Sequence, residues 1–487
     1  EQVTTYTDDG VRTFTVSQDG RTIAFERQTS VFVHDVASGT TETLDVTVPA
    51  DYRFDPVERE TFTSDLEGYA VSPDGDQTAL VIRGELFLME NDTEERRTVR
   101  LTRHAYRDRD VAWLSDSTLV FASDRDGGQY DLYRLESADA EHADLFDALQ
   151  HRVVRLTNTP EDERILSVAP DRSRLAFRRG ALAGYGGGQL VTAALDDDAF
   201  TDEAVLVDSW SVPGSVAWSP DGQWLAYSRD DLDFNEEVYI HAADGSSEPV
   251  NVSQHPKGDD DPVWSADGSK LGFVSGRSSG DDDVWFVWLR EEDWERTEED
   301  WQARSEDQPA NGDEAGDEPA EVEIDFENIH ERLQRVTALP GNEAEVAVSE
   351  DGERFFFVAG RSGRTGRYDT EVDLYSVKWD GTEQKRLTNG GLSPYGVRLG
   401  PDGQQLFFVH SGGRLATVGT SNGSVEQLSF AARMEVDHAA EREQIFQELS
   451  TRAFTTPTST ATTGRPSATS TARGPCRPPP CATSRTW

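Results

Sequence analysis

The chain has 487 residues, which is enough for several hydrophobic cores or for one large radial array of sheets. Its 46 Lys and Arg residues stand against 92 Asp and Glu residues, so the formal net charge is −46. Such a chain lacks the basic face that nucleic acids and anionic membranes require, and both classes of partner are therefore excluded.

A strand–turn–strand unit recurs along the chain, and its clearest copy is SVAWSPDGQWLAYSRDD at residues 215–231. Pro220 fixes φ at the first corner of the turn, and Gly222 accepts the left-handed conformation that closes it. β-Branched and aromatic residues on both sides of the turn favour strands. The stretch therefore predicts a β-hairpin.

The same turn recurs in chain order, six times clearly and twice in worn form, at residues 17–20, 72–75, 115–117, 170–172, 219–222, 265–268, 349–352 and 401–403. The spacing is mostly about 45 residues, which is typical of β-propeller blades. A third strand follows each hairpin, and a fourth strand ends in Arg-Leu-Thr or a similar triplet, as at residues 386–388. The predicted fold is an all-β propeller of four-stranded blades. A β-sandwich is the alternative, but a sandwich has no reason to repeat one motif eight times.

The count of blades predicts the domain organisation. Residues 10–47 read as one blade, after which residues 48–65 interrupt the repeat. Seven hairpin units follow, so the best fit is a trailing blade of an upstream propeller in residues 1–57 and a complete seven-bladed propeller in residues 58–430. A single eight-bladed ring is the alternative. Because Glu1 stands close to a blade strand and no methionine precedes it, we expect the chain to be a fragment.

Two segments outside the blades have distinct compositions. Residues 291–323 are acidic, contain Pro, Gly and Asn, and carry little to bury after Trp301, so we expect a mobile insertion in a blade. Residues 431–454 begin a helical linker domain with a short C-terminal helix. Ile445, Phe446 and Leu449 share one predicted face of that helix, opposite Gln444.

The tail at residues 455–487 contains no Asp, Glu, Val, Leu, Ile, Met or Phe. A mucin-like or linker segment is one interpretation of this composition. However, every Thr codon has the form ACN, which one base earlier reads NAC and encodes Tyr, His, Asn or Asp. We therefore interpret the tail as a disordered frameshift product. Cys476 and Cys481 would then have no redox or metal role, and their spacing fits no standard zinc pair.

Four stretches resemble the propeller half of tricorn-type serine peptidases: residues 215–231, VWFVWLREEDWERT at 284–297, VTALPGNEAEVAVSEDG at 336–352 and ARMEVDHAAEREQIF at 432–446. The resemblance covers about residues 1–453. The hairpins alone are shared with TolB-like and prolyl-oligopeptidase propellers, and the latter family joins its propeller to an α/β-hydrolase domain. The last stretch is more specific, since in tricorn-type peptidases such a helix follows the second propeller and leads to a PDZ domain and the catalytic core.

The resemblance implies a cytosolic peptidase that degrades short peptides with a serine nucleophile and a histidine base in its C-terminal half. Its propellers are expected to gate substrates, which pass through an axial channel. No matched position carries the catalytic residues, so we expect this chain alone to be non-catalytic. Peptides are the expected partner, and a homo-oligomer is a further expectation for the full-length family. The alternative is a free-standing TolB-like scaffold that binds a protein partner.

The acidic residues are spread through every blade rather than gathered in one tail. Concentrated salt screens such charge, which suggests a halophilic protein from a haloarchaeal cytosol. The alternative interpretation of the acidity is a pocket that binds basic substrates, but such a pocket would gather the acidic residues in one local cluster. No apolar run reaches the length of about 20 residues that a membrane helix needs, so we expect a cytoplasmic location.

The sequence contains few matches to catalytic or metal-binding motifs, and each match has a structural explanation. Residues 419–423 match G-x-S-x-G, but that elbow needs a strand before it and a helix after it, and here it joins two strands. Residues 231–235 resemble the start of a calcium loop, but Glu236 stands where the loop requires glycine. His104 and His255 each follow the last strand of a blade, where packing is the default role. We predict no catalytic, cofactor-binding or metal-binding residue, and no cofactor.

Overall fold

The computed structural model describes residues 3–6, 10–28, 30–44, 57–91, 96–126, 128–180, 187–196, 198–278, 280–297, 300–301, 320–360 and 371–454. The chain divides into two compact units, Glu1–Glu58 and Arg59–Trp487. The predicted frameshifted tail at residues 455–487, with both cysteines, lies outside the described residues, as do residues 302–319 of the acidic segment.

The first unit contains one four-stranded antiparallel sheet with its strands in sequence order: β1 (Thr13–Val16), β2 (Thr22–Arg27), β3 (Ser30–Asp35) and β4 (Thr41–Leu44). The rings of Phe25 and Phe32 stack across β2 and β3 with their centroids 5.4 Å apart. The predicted blade in this region is therefore present. That it belongs to an upstream propeller stays a prediction.

The second unit contains seven four-stranded antiparallel sheets, each with its strands in sequence order. We number them blades 1 to 7, and their strands are: blade 1, β6 (Leu66–Val71), β7 (Gln77–Ile82), β8 (Glu85–Glu90), β9 (Thr98–Arg100); blade 2, β10 (Asp108–Ser115), β11 (Thr118–Ser123), β12 (Asp131–Ser137), β13 (His151–Arg155); blade 3, β14 (Glu163–Val168), β15 (Arg174–Gly180), β16 (Gly188–Asp196), β17 (Ala199–Ser209); blade 4, β18 (Ala217–Trp218), β19 (Trp224–Asp230), β20 (Glu236–Ala242), β21 (Val250–Asn251); blade 5, β22 (Asp259–Trp264), β23 (Lys270–Ser275), β24 (Asp283–Trp288), β25 (Leu333–Arg335); blade 6, β26 (Glu343–Val348), β27 (Arg354–Gly360), β28 (Val372–Lys378), β29 (Lys385–Arg386); blade 7, β30 (Tyr395–Leu399), β31 (Gln405–His410), β32 (Arg414–Gly419), β33 (Val425–Gln427).

The remaining elements are few. Strands β5 (Val57–Phe62) and β34 (Ala432–Asp437) pair as a two-stranded ribbon. Helix α1 (Glu291–Glu295) and a 3₁₀ turn (Ile329–Glu331) lie in the long connection between β24 and β25, and α2 (His438–Phe454) ends the described part of the chain. No helix among the described residues combines the length and the apolar character that a membrane crossing would need.

The seven blades close into a ring whose first strands surround the axis. Neighbouring first strands are bonded directly, as where the N–H of Val346 in blade 6 donates to Oδ2 of Asp261 in blade 5 at 3.1 Å. At the seam between blades 7 and 1, the Tyr69 hydroxyl donates to the carbonyl oxygen of Gly396 at 2.6 Å. Leu66 and Phe407 share one buried cluster across that seam. The seven-bladed propeller is therefore confirmed in preference to an eight-bladed ring.

The recurring Ser-x-Asp-Gly turn owes its sequence to local hydrogen bonds. In blade 4 the Ser219 hydroxyl donates to Asp221 at 2.5 Å and accepts the N–H of Trp224 at 2.9 Å. Gly222 has a φ of +69°, a conformation that residues with a Cβ rarely adopt. Ser72 and Ser349 make the same bonds in blades 1 and 6. In these three blades the turn therefore joins the first two strands by the same side-chain chemistry.

The Arg-Leu-Thr triplet fastens the fourth strand of a blade to the third. In blade 6 the buried Asp373 carboxylate accepts hydrogen bonds from Arg386 and from the Thr388 hydroxyl, which itself accepts the N–H of Leu374 at 2.9 Å. We call this carboxylate, arginine and threonine the RLT lock. Blades 1, 2 and 5 repeat the arginine–carboxylate pair of the lock and the threonine hydrogen bond to the third strand. The ion pairs in these blades are Arg100–Glu85, Arg155–Asp131 and Arg335–Asp283.

The described ends of the acidic segment 291–323 are packed against the ring. Trp301 stacks on Trp288 of β24 with ring centroids 4.9 Å apart and an angle of 19° between the planes. At the other end, the buried Val322 donates its N–H to Asp221 of the blade 4 turn at 2.9 Å. Both described ends of the segment therefore contact the ring, and the expected mobility of the insertion stays a prediction.

Helix α2 confirms the predicted C-terminal helix, and polar residues of the helix contact the ring. Gln444 is buried and lies 3.5 Å from Asp124 of blade 2, and Glu441 pairs with Arg83 of blade 1. Ile445 and Phe446 are 45% and 50% exposed. The face that these two apolar residues share is therefore largely exposed, and polar side chains attach the helix to the ring.

Candidate functional site

The G-x-S-x-G match at residues 419–423 lies in the turn between β32 and β33, as predicted. The Asn422 side chain accepts the N–H of Ser424 at 2.8 Å, and Lys385 donates to the carbonyl oxygen of Ser421 at 2.6 Å. A nucleophile elbow would place this serine between a strand and a helix, above a hydrolase sheet. This serine instead sits on an exposed turn at the outer edge of blade 7.

Ser421→Ala will leave the melting temperature of the chain unchanged, within about 1 °C, because substitutions of exposed turn residues rarely cost more than about 0.5 kcal/mol. Hydrolysis of fluorogenic peptides by the purified chain, measured in molar KCl, is expected to be absent in the parent and in the variant. Turnover that survives removal of contaminating proteases and disappears in Ser421→Ala would contradict this assignment.

The calcium-like loop and the two singled-out histidines have structural roles. Oδ1 of Asp231 accepts the N–H groups of Asp233 and Asn235 at 2.7 and 3.0 Å, so the loop uses this carboxylate itself. His104 Nε2 lies 2.9 Å from Asp108, and the backbone N–H of His255 donates to the Glu237 carboxylate. Within the described ranges, no group of three or more His, Cys, Asp and Glu residues is arranged to hold a metal ion.

The most distinctive geometry of the ring lies near the start of its first strands. In blades 2, 5 and 6 these strands open with an acid–x–acid triplet, at residues 108–110, 259–261 and 343–345. The first acid of each triplet is buried, and the third lies in a β-bulge with φ of +52° at Asp110, +56° at Asp261 and +55° at Glu345. Left-handed backbone at a non-glycine residue costs free energy and is held only by surrounding contacts.

Those contacts reach to the next blade. Glu345 accepts the N–H of Val397 in blade 7 at 3.0 Å, which repeats the bond from Val346 to Asp261. Asp110 instead pairs with Arg164 of blade 3. The bulges therefore bring acidic side chains to the boundaries between first strands, around the axis. Sequence reasoning missed them, although the repeated triplet was a visible signal.

Four carboxylates from blades 4 to 6 form a group that we call the carboxylate arc: Glu236, Asp260, Asp261 and Glu345. The Ser228 hydroxyl lies 3.2 Å from Glu236 Oε1 and also contacts Asp260, so one hydroxyl proton serves two carboxylates. Burial and the charge of Asp260 raise the pKa of Glu236 to about 7. Burial, together with repulsion from Asp260 and Glu345, raises the pKa of Asp261 to about 6 despite the bond from Val346.

Three arginines from blades 2 and 3 form a second group, the arginine arc: Arg109, Arg164 and Arg178. Arg164 Nη2 lies 2.7 Å from Asp110 Oδ1, and Arg109 Nε lies 3.9 Å from the same oxygen. Arg178 pairs with Arg164 across β14 and β15, and burial and the charge of Arg164 lower its pKa. Its buried Nε has no hydrogen-bond partner among the described residues. The arc therefore keeps a local excess of positive charge in a strongly acidic protein.

A cavity of about 360 Å³ lies where α2 meets blades 1 and 2. Arg107, Arg109, Tyr130 and Gln444 are among its lining residues. The guanidinium carbon of Arg109 is 5.4 Å from the centre of the Tyr130 ring. Arg109 is therefore the member of the arginine arc that lines this cavity, to which α2 contributes Glu441, Gln444 and Ile445.

The melting temperature will fall by about 2–4 °C as the pH rises from about 5 to about 8, because the folded chain holds protons that the unfolded chain has released. The ordinary pKa values are 4.5 for Glu236 and 3.8 for Asp261, and the folded values are about 7 and about 6. The stabilisation is complete below the unfolded values and is lost as the pH passes through the folded ones. Thermal melts at constant salt should show a shallower decline in Glu236→Gln. Equal slopes in parent and variant would contradict the assignment.

No protein-family profile matches the sequence, and no curated protein matches it. Among solved structures the chain is similar to the tricorn protease, with a TM-score of 0.60 and 15% identity over 92% of this chain. The matched part is 42% of that protein, so the chain spans less than half of its length.

Two further structures have lower similarity. TolB from Acinetobacter baumannii matches with a TM-score of 0.39 and 12% identity, over 87% of this chain and 80% of that one. A puromycin-hydrolyzing peptidase from Mycobacterium tuberculosis matches with a TM-score of 0.49 and 17% identity, over 75% of this chain and 53% of that one. At these identities the comparisons bear on fold alone. The chain has a β-propeller fold similar to that of the tricorn protease.

Proposed function

We propose that the ring is the substrate-gating part of a tricorn-like cytosolic serine peptidase, and that short peptides pass along its axis. The observation that carries this proposal is the set of charged side chains around the axis. The first strands supply Arg109 and Arg164 on one side and Asp260 and Asp261 on the other. Peptides carry both charges at their termini, so such a lining suits them better than it suits apolar ligands.

The proposed peptidase chemistry belongs to a longer polypeptide of which this chain is one part. The similarity to the tricorn protease, which extends over 92% of this chain and 42% of that one, supports this division. The chain alone then gates and does not cleave. The acidic surface supports the further proposal that the host cytosol is rich in salt.

A scaffold that binds a protein partner on its rim is the second candidate. The loop between β19 and β20 supports it, since Leu232 is 85% exposed and Phe234 is 65% exposed. Phe234 has a φ of +60° within a loop braced by the Asp231 carboxylate. Rigid, exposed apolar side chains are typical anchors of protein interfaces.

Photo-cross-linking separates the two candidates. The full chain in molar KCl would be irradiated with a hexapeptide that carries one benzophenone side chain, and labelled segments would be mapped by mass spectrometry. We expect labels on the first strands β10, β14, β22 and β26, and competition by excess unmodified peptide. Labels confined to residues 231–235, or no competable label, would contradict axial passage and favour the rim scaffold.

A further inference from the structure

We propose that the axis of the ring orients peptides crosswise, with the N-terminal ammonium at the carboxylate arc and the C-terminal carboxylate at the arginine arc. The inference rests on the proposed function and narrows its substrate class to short peptides with both termini free. A basic side chain near the N-terminus would add to the attraction of the carboxylate arc.

The two arcs share one level of the ring. Arg109, Arg164 and Asp260 each occupy the second position of their first strand, opposite Ala122, Arg178 and Val274 of the second strands. The corresponding position in blade 6 is Ala344, opposite Val358. In a ring of seven, blades 2 and 3 lie across the axis from blades 5 and 6. The opposite charges therefore lie at the same level of the ring, on opposite sides of its axis, rather than at the two ends of a channel.

The neighbours of each arc neutralise its charge only in part. On the arginine side, Asp110 is shared by Arg109 and Arg164, and Arg178 makes no ion pair within the part of the chain that the structure describes. An arginine without an ion pair is unusual in a chain with 92 acidic and 46 basic residues. On the other side, the Ser228 hydroxyl bridges Glu236 and Asp260, and the donors to Asp261 and Glu345 are neutral backbone N–H groups.

A dipolar ligand suits this arrangement better than a simple ion does. An inorganic anion would gain only from the arginine arc and would be repelled by the carboxylates, while a metal cation would gain only from the carboxylate arc. A peptide with two free termini satisfies both arcs at once. Charges held between low-dielectric walls also act more strongly than charges on an open surface.

Isothermal titration of the full chain with one uncharged-side-chain tetrapeptide in four forms tests the orientation: free, N-acetylated, C-amidated and doubly blocked. At constant salt, each block is expected to weaken binding about tenfold, the effect of one lost charged hydrogen bond of about 1.4 kcal/mol. Doubly blocked peptide should bind at least as weakly as either singly blocked form.

Variants assign each terminus to its arc. Asp260→Asn should abolish the effect of N-acetylation and keep that of amidation, and Arg178→Gln should do the reverse. Glu345→Gln and Arg109→Gln serve as second variants if either of the first fails to show the β-type circular dichroism spectrum of the parent. Arg433→Gln, at an exposed arginine on the β34 ribbon, is the matched control and should change nothing.

The outcomes separate the two levels of the proposal. Equal affinities for the four peptide forms, with cross-links still on the first strands, would overturn the orientation and leave the proposed function standing. The orientation would also be overturned if Asp260→Asn removed the effect of C-amidation, or if Arg178→Gln removed the effect of N-acetylation. No binding of any form, together with no axial cross-link, would contradict the proposed function as well.

Discussion

Arg386→Ala will lower the free energy of unfolding by about 3 kcal/mol, the cost of leaving one partner of a buried ion pair behind. Asp373 is 0% exposed and accepts hydrogen bonds from Arg386, from the Thr388 hydroxyl at 2.8 Å and from the Gly391 N–H at 3.2 Å. Removing the guanidinium leaves the carboxylate with neutral donors only. Because the lock joins the third and fourth strands, blade 6 should lose its outer strand first.

Urea denaturation in molar KCl measures this loss of stability, and two further variants serve as controls. Arg433→Ala removes an arginine whose side chain is exposed and makes no ion pair among the described residues, so it should cost less than about 0.5 kcal/mol. The double variant Arg386→Ala with Asp373→Leu removes both charges and should recover part of the loss. Equal midpoints for Arg386→Ala and Arg433→Ala would show that the RLT lock does not stabilise the blade.

The blades could be predicted from sequence because each one is built by bonds between residues close in the chain. The serine and aspartate of the turn lie two residues apart, as in Ser219 and Asp221. The lock in blade 6 joins Asp373 to Arg386 within a single repeat. Local chemistry of this kind places the same residue types at the same spacing in most copies, so the repeat period was enough to predict the blades.

The axial arcs could not be predicted in the same way because their geometry depends on the next blade. The bulge at Asp261 is held by the N–H of Val346, 85 residues later, and that at Glu345 by Val397, 52 residues later. From sequence alone, charged residues within a strand indicate a solvent-exposed strand edge. The repetition of the acid–x–acid triplets does not show which residues of the next blade they contact. The contact between helix α2 and the ring could not be predicted for the same reason, since the partner of Gln444 is Asp124, 320 residues away.

Removal of salt will have a still larger effect, because it acts on the whole ring. The chain carries a net charge of −46, and self-repulsion of that size destabilises a compact state. The Debye length is about 10 Å at 0.1 M salt and about 3 Å at 1 M, so neighbouring blades repel one another only in dilute salt. We expect a β-type circular dichroism spectrum in molar KCl and its loss as salt is withdrawn.

Thermal melts at about 0.1 M and about 1 M KCl measure this dependence, and NaCl at matched ionic strength is the control, since screening depends on ionic strength rather than on the cation. The closure between blades 7 and 1 should fail early, because non-covalent contacts such as the Tyr69–Gly396 bond, the Arg96–Glu426 ion pair and one apolar cluster hold that seam. An equal melting temperature at both concentrations would contradict the halophilic interpretation. The acidity would then need a local cause, and the carboxylate arc would supply one, as a surface that selects peptides with positive charge.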